Sequence, residues 1–206
     1  MTVGMLRTQS LLAQVVCSPD KITDFSLTDW DLLIRQAYAA GLLSRLFFIF
    51  DNKNLHDVIP DQVLVHLESA KSLVVGHERA VRWEVNRIAY ALASQRIPVI
   101  LLKGAAYLMA DLPVGRGRLF SDIDLLVEGN SLKKAENAFL LNGWLTTHLD
   151  EYDQRYYRKW MHELPPLKHI KRKSVLDIHH TILPLTASLK PDSSKLFTEV
   201  VSLQNH

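Results

Sequence analysis

Two carboxylates lie two residues apart inside an otherwise apolar run, at Asp122 and Asp124 of segment 118–127. The apolar residues favour a β-strand, in which successive side chains point to opposite faces of the sheet. Asp122 and Asp124 therefore share one face, while Ile123 and Leu125 share the other. Two anions on one face repel each other unless a cation lies between them, so the pattern predicts a divalent-metal site. Two solvated aspartates at a strand end are the alternative reading of so short a motif.

The charge of the chain is nearly balanced, with 24 Lys and Arg against 22 Asp and Glu and a net charge of +2. This balance argues against a long nucleic acid as the main partner, because proteins that bind one concentrate basic residues. The single cysteine, Cys17, cannot form an internal disulfide, which is typical of the reducing cytoplasm. No apolar run reaches the roughly 20 residues that span a bilayer, so no membrane segment is predicted.

Helical periodicity dominates the chain before residue 96. Thr28 followed by Asp31 resembles a capping signal for one of the helices. Apolar residues at steps of three, four or seven then form a stripe over residues 61–94. The stripe predicts one long helix, or two helices interrupted near Gly76.

The pattern changes at residue 97, where strand-like runs begin to alternate with helical ones. We expect a helix over 105–110, a helix over 131–142, and strands over 97–102, 118–127, 164–170 and 174–180. An amphipathic pattern starts near residue 193 and is cut off at the last residue, which predicts that the natural protein is longer.

The predicted fold class is therefore α+β. We expect a helical N-terminal region over 1–95 that packs on the core, the core itself over 96–182, and the start of a C-terminal helical region over 183–206.

A second strand-like run, 175–179, carries Asp177 among apolar residues. If this strand lies beside the first, Asp177 joins Asp122 and Asp124, and His179 on the same face can orient Asp177 by a hydrogen bond. Three carboxylates on adjacent strands can hold two Mg²⁺ ions about 4 Å apart. Asp177 would then assist the deprotonation of an attacking hydroxyl group. A solvated aspartate at a strand end is again the alternative.

The turn Lys103-Gly104 follows the first predicted strand and precedes a short helix. Glycine allows the close backbone approach that a phosphate-binding turn needs, and Lys103 adds a positive charge. Most such pairs are only turns. The order of strand, glycine turn, helix and carboxylate strand is what favours a phosphate site here.

Taken together, these motifs resemble the uncharacterised nucleotidyltransferase family of the DNA polymerase β-like nucleotidyltransferase superfamily. The resemblance covers about residues 95–182 and rests on segments 100–106, 118 with 121–127, 142–144 and 176–179. It implies a small mixed β-sheet flanked by helices, the polymerase β-like nucleotidyltransferase core. It also implies a glycine turn under the nucleotide phosphates, two aspartates on one strand and a third acidic residue on a later strand. The chain departs from the usual pattern in having alanine rather than serine after Gly104, and in having Asp177 where glutamate is common.

The resemblance implies a Mg²⁺-dependent enzyme, with Mn²⁺ as the alternative ion, that transfers a nucleoside monophosphate from a nucleoside triphosphate such as ATP to an acceptor hydroxyl and releases pyrophosphate. The expected catalytic metal ligands are Asp122, Asp124 and Asp177. The expected nucleotide-binding residues are Lys103, Gly104, Arg118 and Ser121. His162 and His179 are expected on the acceptor side, His162 together with its neighbour Glu163.

Several alternatives stay open at this point. The chain could be a nucleotide-binding or regulatory module without catalysis, as in a toxin-antitoxin pair, or a metal-dependent phosphodiesterase. A small molecule or a protein is favoured as acceptor over a long nucleic acid. Arg118 could instead form an ion pair with Asp111 or Glu128, and His162 could be structural. The basic turn 171–173 is expected to be solvated.

Overall fold

The computed structural model describes residues 10–147 and 150–203. Over these residues the protein is α+β, with a five-stranded mixed sheet flanked by helices, which confirms the predicted fold class. The helices are α1 (Leu11–Cys17), α2 (Leu27–Ala39), α3 (Leu43–Asn52), α4 (Asp61–Ala93), α5 (Lys103–Met109), α6 (Leu132–Leu141), α7 (Glu151–Trp160) and α8 (Ser193–Thr198). The strands are β1 (Ile100–Leu102), β2 (Asp122–Leu126), β3 (Trp144–Thr146), β4 (Leu167–His169) and β5 (Val175–His179). Among the described residues, no helix combines the length and the apolar character that a bilayer crossing requires.

The chain divides into two compact units. One unit runs to His77 and also includes Arg116–Leu119, whereas the other comprises Glu78–Gly115 and the residues from Phe120 onward. The first unit is helical, and its buried core contains Trp30, whose ring meets that of Phe50 edge to face at 6.0 Å. Such pairs add about 0.5–1.5 kcal/mol beyond the burial of their area.

The N-cap of helix α2 lies two residues before the predicted cap at Thr28. Ser26 caps the helix, since its hydroxyl accepts a hydrogen bond from the Asp29 N–H at 3.3 Å and the Asp29 carboxylate accepts one from the Ser26 N–H at 3.0 Å. This reciprocal pair is a capping box. The prediction of a cap at Thr28 is wrong, because Thr28 already lies inside the helix that Ser26 and Asp29 cap. Asp31 instead pairs with Arg35 at 2.6 Å.

Helix α4 is continuous over Asp61–Ala93, so of the two predicted possibilities the single long helix is correct. A Cβ atom at Gly76 would meet nothing within 4 Å, which shows that no close contact requires glycine there. Its cost of about 1 kcal/mol relative to alanine is not enough to interrupt a helix whose apolar stripe is buried.

The sheet of the second unit has the strand order β1-β2-β5-β4-β3. Strands β2 and β5 pair in parallel at its centre, and the other pairs are antiparallel. Ile123, Leu125, Leu176 and Ile178 are all buried on one face of this central pair. By strand alternation, Asp122, Asp124, Asp177 and His179 lie on the opposite face.

The strands are shorter than predicted where proline interrupts the run. Strand β1 begins only at Ile100, after Pro98, and β4 begins only at Leu167, after Pro165 and Pro166. Proline has no N–H to donate to a neighbouring strand. Strand β3 and helix α7 were not predicted.

Glu84 and Arg172 form a buried ion pair in the second unit. Glu84 is only 5% exposed and accepts hydrogen bonds from Arg172 Nε at 2.7 Å and Arg172 Nη2 at 2.9 Å. The Ser174 hydroxyl donates to the same carboxylate at 2.7 Å, and the Arg172 guanidinium lies 4.6 Å from the centre of the Trp144 ring. The predicted solvated turn is therefore wrong for Arg172, whose charge anchors the β4–β5 turn to α4.

Candidate active site

The pairing of β2 with β5 brings the aspartates of the two strands together. Asp124 lies opposite Asp177 in the parallel register, and Leu126 lies opposite His179. Neighbouring strands are about 4.8 Å apart, so facing side chains on one surface are direct neighbours. Asp122 shares this face two residues before Asp124, and Asp177 therefore joins both of the other aspartates.

Asp124 is the most buried of the three aspartates, with 3% exposure. Its Oδ1 atom accepts a hydrogen bond from the Lys103 ammonium at 2.5 Å and another from His179 Nε2 at 2.8 Å. Burial alone would raise the pKa of Asp124, but the hydrogen bonds from His179 and Lys103 outweigh it and hold the pKa below the usual value. Asp124 is thus a buried anion that two donors stabilise.

Lys103 adopts a left-handed backbone conformation, with φ at +49°, at the point where β1 gives way to α5. A residue other than glycine rarely adopts this conformation unless its surroundings enforce it. Partial burial opposes the charge of Lys103, yet the hydrogen bond and the charge of Asp124, helped by Glu163 and Asp122, raise its pKa. The ammonium is therefore a permanent cation beside the carboxylates.

Gly104 is buried directly beneath the ring of Phe120. A Cβ atom at this position would lie 2.9 Å from Phe120 Cγ, closer than real side chains approach. The left-handed residue of the turn is Lys103, so the close approach of the ring, rather than backbone conformation, requires glycine at 104.

Asp177 lies in a different environment from Asp124, although the two face each other. Its Oδ1 atom is buried and has no hydrogen-bond partner in the described residues. Burial, and then the charges of Glu163, Asp122 and Asp124, raise the pKa of Asp177 to about 6. The expected hydrogen bond between His179 and Asp177 is absent from the described structure, because the imidazole reaches across to Asp124 on the neighbouring strand.

Glu163 brings a fourth carboxylate to the cluster through an isolated antiparallel bridge with His179. Its Oε2 atom is 3.3 Å from His179 Nδ1 and 3.6 Å from His162 Nε2. The His162 and His179 rings are 5.2 Å apart, and burial lowers the pKa of His162. In the sequence Glu163 stands out only as the neighbour of His162, because the bridge that brings it to His179 depends on the fold.

Tyr157 of α7 was missed by sequence reasoning. Burial raises the pKa of Tyr157, and the charges of Glu163, Asp153 and Asp177 raise it further, which places its hydroxyl in the field of the carboxylate cluster. Helix α7 is tied to α6 by the contact of Arg158 with the buried Glu136. Asp150 as its N-cap and basic residues in its last turn are signals that could have identified this helix.

Two of the expected nucleotide-binding residues lie on the surface. Ser121 is exposed immediately before β2, one residue from Asp122. Arg118 is also exposed, and by its contacts it belongs to the first compact unit. Asp111, one of the ion-pair partners considered for Arg118, pairs with Arg82 at 2.5 Å.

The donor set on this face of the sheet suits a hard divalent cation. Asp122, Asp124 and Asp177 offer carboxylate oxygens, the ligands that Mg²⁺ prefers. Asp177 Oδ1 has no hydrogen-bond partner among the described residues, and the pKa of the Asp177 carboxyl is raised. Both observations indicate that positive charge is lacking beside Asp177 on β5, although Lys103 supplies some beside Asp124. The residues therefore fit the metal that the sequence predicts.

An α+β fold that presents carboxylates from adjacent strands on one face of a helix-flanked sheet is consistent with a nucleotidyltransferase core. The chain belongs to the uncharacterised nucleotidyltransferase family, whose family model matches residues 26–206. This match confirms the resemblance, and it supports nucleotidyl transfer as the general function and a nucleotide as substrate. No curated protein and no solved structure matches the chain.

Proposed function

We propose that this protein is a Mg²⁺-dependent nucleotidyltransferase that transfers a nucleoside monophosphate from a nucleoside triphosphate to an acceptor hydroxyl and releases pyrophosphate. The observation that carries the proposal is the register of the central strands, which sets Asp124 opposite Asp177 with one buried Asp177 oxygen unpartnered. Like charges so placed are costly unless a cation is bound between them.

In this proposal all three aspartates bind the cation, and Asp177 also acts as a base. Asp122, Asp124 and Asp177 hold the cation, which when bound neutralises the triphosphate charge and orients the reacting phosphate. Asp177, whose Oδ1 atom has no hydrogen-bond partner among the described residues, takes the proton of the acceptor hydroxyl. The acceptor oxygen then forms a bond to the α-phosphorus, and the bond from that phosphorus to the bridging oxygen breaks, so that pyrophosphate leaves.

Lys103 is the residue best placed to bind a phosphate group. Its side chain is 58% exposed although the ammonium contacts Asp124, and an ammonium has three hydrogens to donate. In the proposal Gly104 contributes its backbone N–H, and Ser121 completes the nucleotide-binding set of the second unit. His162 and His179 lie on the acceptor side, joined there by Tyr157.

Labelled ATP, CTP, GTP and UTP, each with Mg²⁺, test this function directly. The wild-type protein is expected to bind at least one of them and to release pyrophosphate when it is supplied with fractions containing the acceptor. The double variant Asp122→Asn/Asp124→Asn should lose the release, whereas Asp57→Asn, which removes an exposed carboxylate of the first unit, should keep it. Wild-type protein that binds no nucleotide and releases no pyrophosphate under any of these conditions contradicts the proposal. Full biological activity of the double variant would instead indicate a regulatory module without catalysis.

A further inference from the structure

A second set of metal-binding side chains lies beside the aspartates and consists of His162, Glu163 and His179. One ligand atom from each residue lies within 4.8 Å of the other two. Glu163 Oε2 is 3.3 Å from His179 Nδ1 and 3.6 Å from His162 Nε2. All three residues belong to the second compact unit, and nucleotidyl transfer by the aspartates does not require them to bind a metal.

The separations between these atoms are longer than those of hydrogen bonds. An N–H···O hydrogen bond has a donor–acceptor distance of about 2.7–3.2 Å. Two ligands at about 2.1 Å from one tetrahedral zinc ion are instead about 3.4 Å apart. The distances of 3.3 Å and 3.6 Å bracket this value. All three ligand atoms lie within 4.8 Å of one another, so one ion can reach the Glu163 oxygen and both imidazole nitrogens.

The second ring nitrogen of His179 is held by a carboxylate. His179 Nε2 lies 2.8 Å from Asp124 Oδ1, which fixes the orientation of the ring and leaves Nδ1 on the side of Glu163. Metal-bound histidines typically contact a carboxylate through their other ring nitrogen in this way.

His162 completes the set from the other side of Glu163. Its Nδ1 atom is buried and has no hydrogen-bond partner among the described residues, while its Nε2 atom faces the Glu163 oxygen. Imidazole nitrogens suit Zn²⁺ and related transition ions, whereas Mg²⁺ prefers oxygen ligands. The donor set therefore differs in kind from that of the three aspartates.

We propose that His162 Nε2, Glu163 Oε2 and His179 Nδ1 bind one Zn²⁺ ion. Three protein ligands leave a fourth position for water or for a substrate group, as in catalytic zinc sites. The hydrogen bond between His179 and Asp124 joins this ion to the aspartate cluster, so the protein carries a nitrogen-rich site and an oxygen-only site on one sheet face.

Titration of the full chain with Co²⁺ tests the site, after chelator treatment and without nucleotide or Mg²⁺. We expect one equivalent of Co²⁺ to produce the visible absorption of a four-coordinate ion, and Zn²⁺ but not Mg²⁺ to displace it. Glu163→Gln and His162→Gln should each weaken binding by at least about ten-fold, the order seen when groups around a metal are altered. The control His66→Gln, at an exposed histidine of the first unit, should bind as the wild type does.

Asp122→Asn separates this site from the proposed Mg²⁺ site. It should keep the Co²⁺ absorption, even if the protein proves unable to transfer nucleotides, because Asp122 is not a ligand of the zinc site. Loss of the absorption in Asp122→Asn would place the ion among the aspartates and overturn the proposal. Equal Co²⁺ affinities of the wild type and of a Glu163→Gln variant with an unchanged circular dichroism spectrum would overturn it as well.

Discussion

Asp124 and Asp177 face each other across two parallel strands, but only Asp124 is held by hydrogen-bond donors. Lys103 and His179 both bind its Oδ1 atom, whereas the corresponding oxygen of Asp177 is buried without a partner. Asp124 is therefore a fixed anion, and Asp177 is the aspartate whose charge depends on what else is bound. The first three predictions follow from this difference.

Replacement of Asp177 by asparagine is expected to stabilise the cation-free protein at neutral pH. The pKa of Asp177 rises from 3.8 to about 6 in the folded state, so the folded state binds more protons than the unfolded state between these two values. The contribution of Asp177 to stability is therefore lost as the pH rises from about 4 to about 6. Above pH 6 the variant should exceed the wild type by about 1 kcal/mol, once solvent screening of this half-buried group is allowed for.

Urea denaturation in the presence of a chelator, at steps from pH 4 to pH 8, measures this difference. The advantage of the variant should be small near pH 4, grow up to pH 6 and then remain constant. A constant difference across the whole range would show that Asp177 does not titrate as its surroundings predict.

Mg²⁺ is expected to raise the melting temperature of the wild-type protein in a saturable manner. An ion that binds only the folded state stabilises it by about 2.7 kcal/mol at a concentration 100 times its Kd, which is equivalent to several degrees for a chain of this size. The variant Asp122→Asn/Asp124→Asn should show no such rise, whereas Asp57→Asn should behave as the wild type. Thermal scans with and without Mg²⁺ check this, and equal shifts in the double variant and the wild type would contradict it.

Lys103→Met is expected to weaken nucleotide binding more than Mg²⁺ binding. The substitution removes a charge-assisted phosphate contact worth about 1.5–3 kcal/mol, or roughly ten-fold or more in Kd. It also removes the ammonium that competes with Mg²⁺ for Asp124, so the affinity for Mg²⁺ alone should not fall. Calorimetry with nucleotide and with Mg²⁺ separates the two effects, and Lys134→Met on the exposed surface of α6 is the control. An unchanged nucleotide Kd would exclude Lys103 from the nucleotide site.

Arg172→Met is expected to destabilise the second unit by about 3–5 kcal/mol, because it leaves the Glu84 carboxylate buried without its partner. The double variant Glu84→Gln/Arg172→Met should recover part of this loss, since no buried charge then remains. Urea denaturation measures both. As the control, Lys171→Met at the exposed neighbouring position should change the free energy of unfolding by less than about 0.5 kcal/mol. A similarly small effect of Arg172→Met would mean that the ion pair of Glu84 with Arg172 does not stabilise the fold.

Gly104→Ala is expected to cost about 1–3 kcal/mol of stability, because its methyl group would overlap the Phe120 ring. Phe120→Ala in the same chain removes the ring atoms nearest to residue 104 and should restore part of the loss. The free energies of unfolding of the two single variants and the double variant form a cycle that measures this coupling. Strictly additive effects would show that the ring does not require glycine at 104.

The central part of the fold could be predicted from the sequence because it depends on local patterns. The apolar runs around Asp122 and Asp177 predict strands, and the structure contains both. The pairing of the two strands was only a condition of the predicted site, and the structure shows it, as Asp124 lies opposite Asp177. The long helix α4 follows from periodicity.

The features that could not be predicted depend on contacts between distant segments. Glu163 pairs with His179 through an isolated β-bridge that no local sequence pattern encodes. His179 forms its hydrogen bond with Asp124 of the neighbouring strand rather than with Asp177 of its own strand. Arg172 stands in a basic turn that looks solvated, although its partner Glu84 is far away in the sequence. Helix α7 was missed because most of its residues are polar, and its periodic positions Tyr152, Tyr156 and Trp160 are aromatic rather than aliphatic.

The pairing of β2 with β5 also determines when the protein can begin to function during its synthesis. A nascent chain that has only reached β2 already carries Asp122 and Asp124, but the facing Asp177 arrives after α6, β3, α7 and β4 have been made. A cation that needs both strands stabilises only chains in which they have paired. Under the proposed function, incomplete translation products that end before β5 lack the third metal ligand and should therefore remain metal-free and inactive.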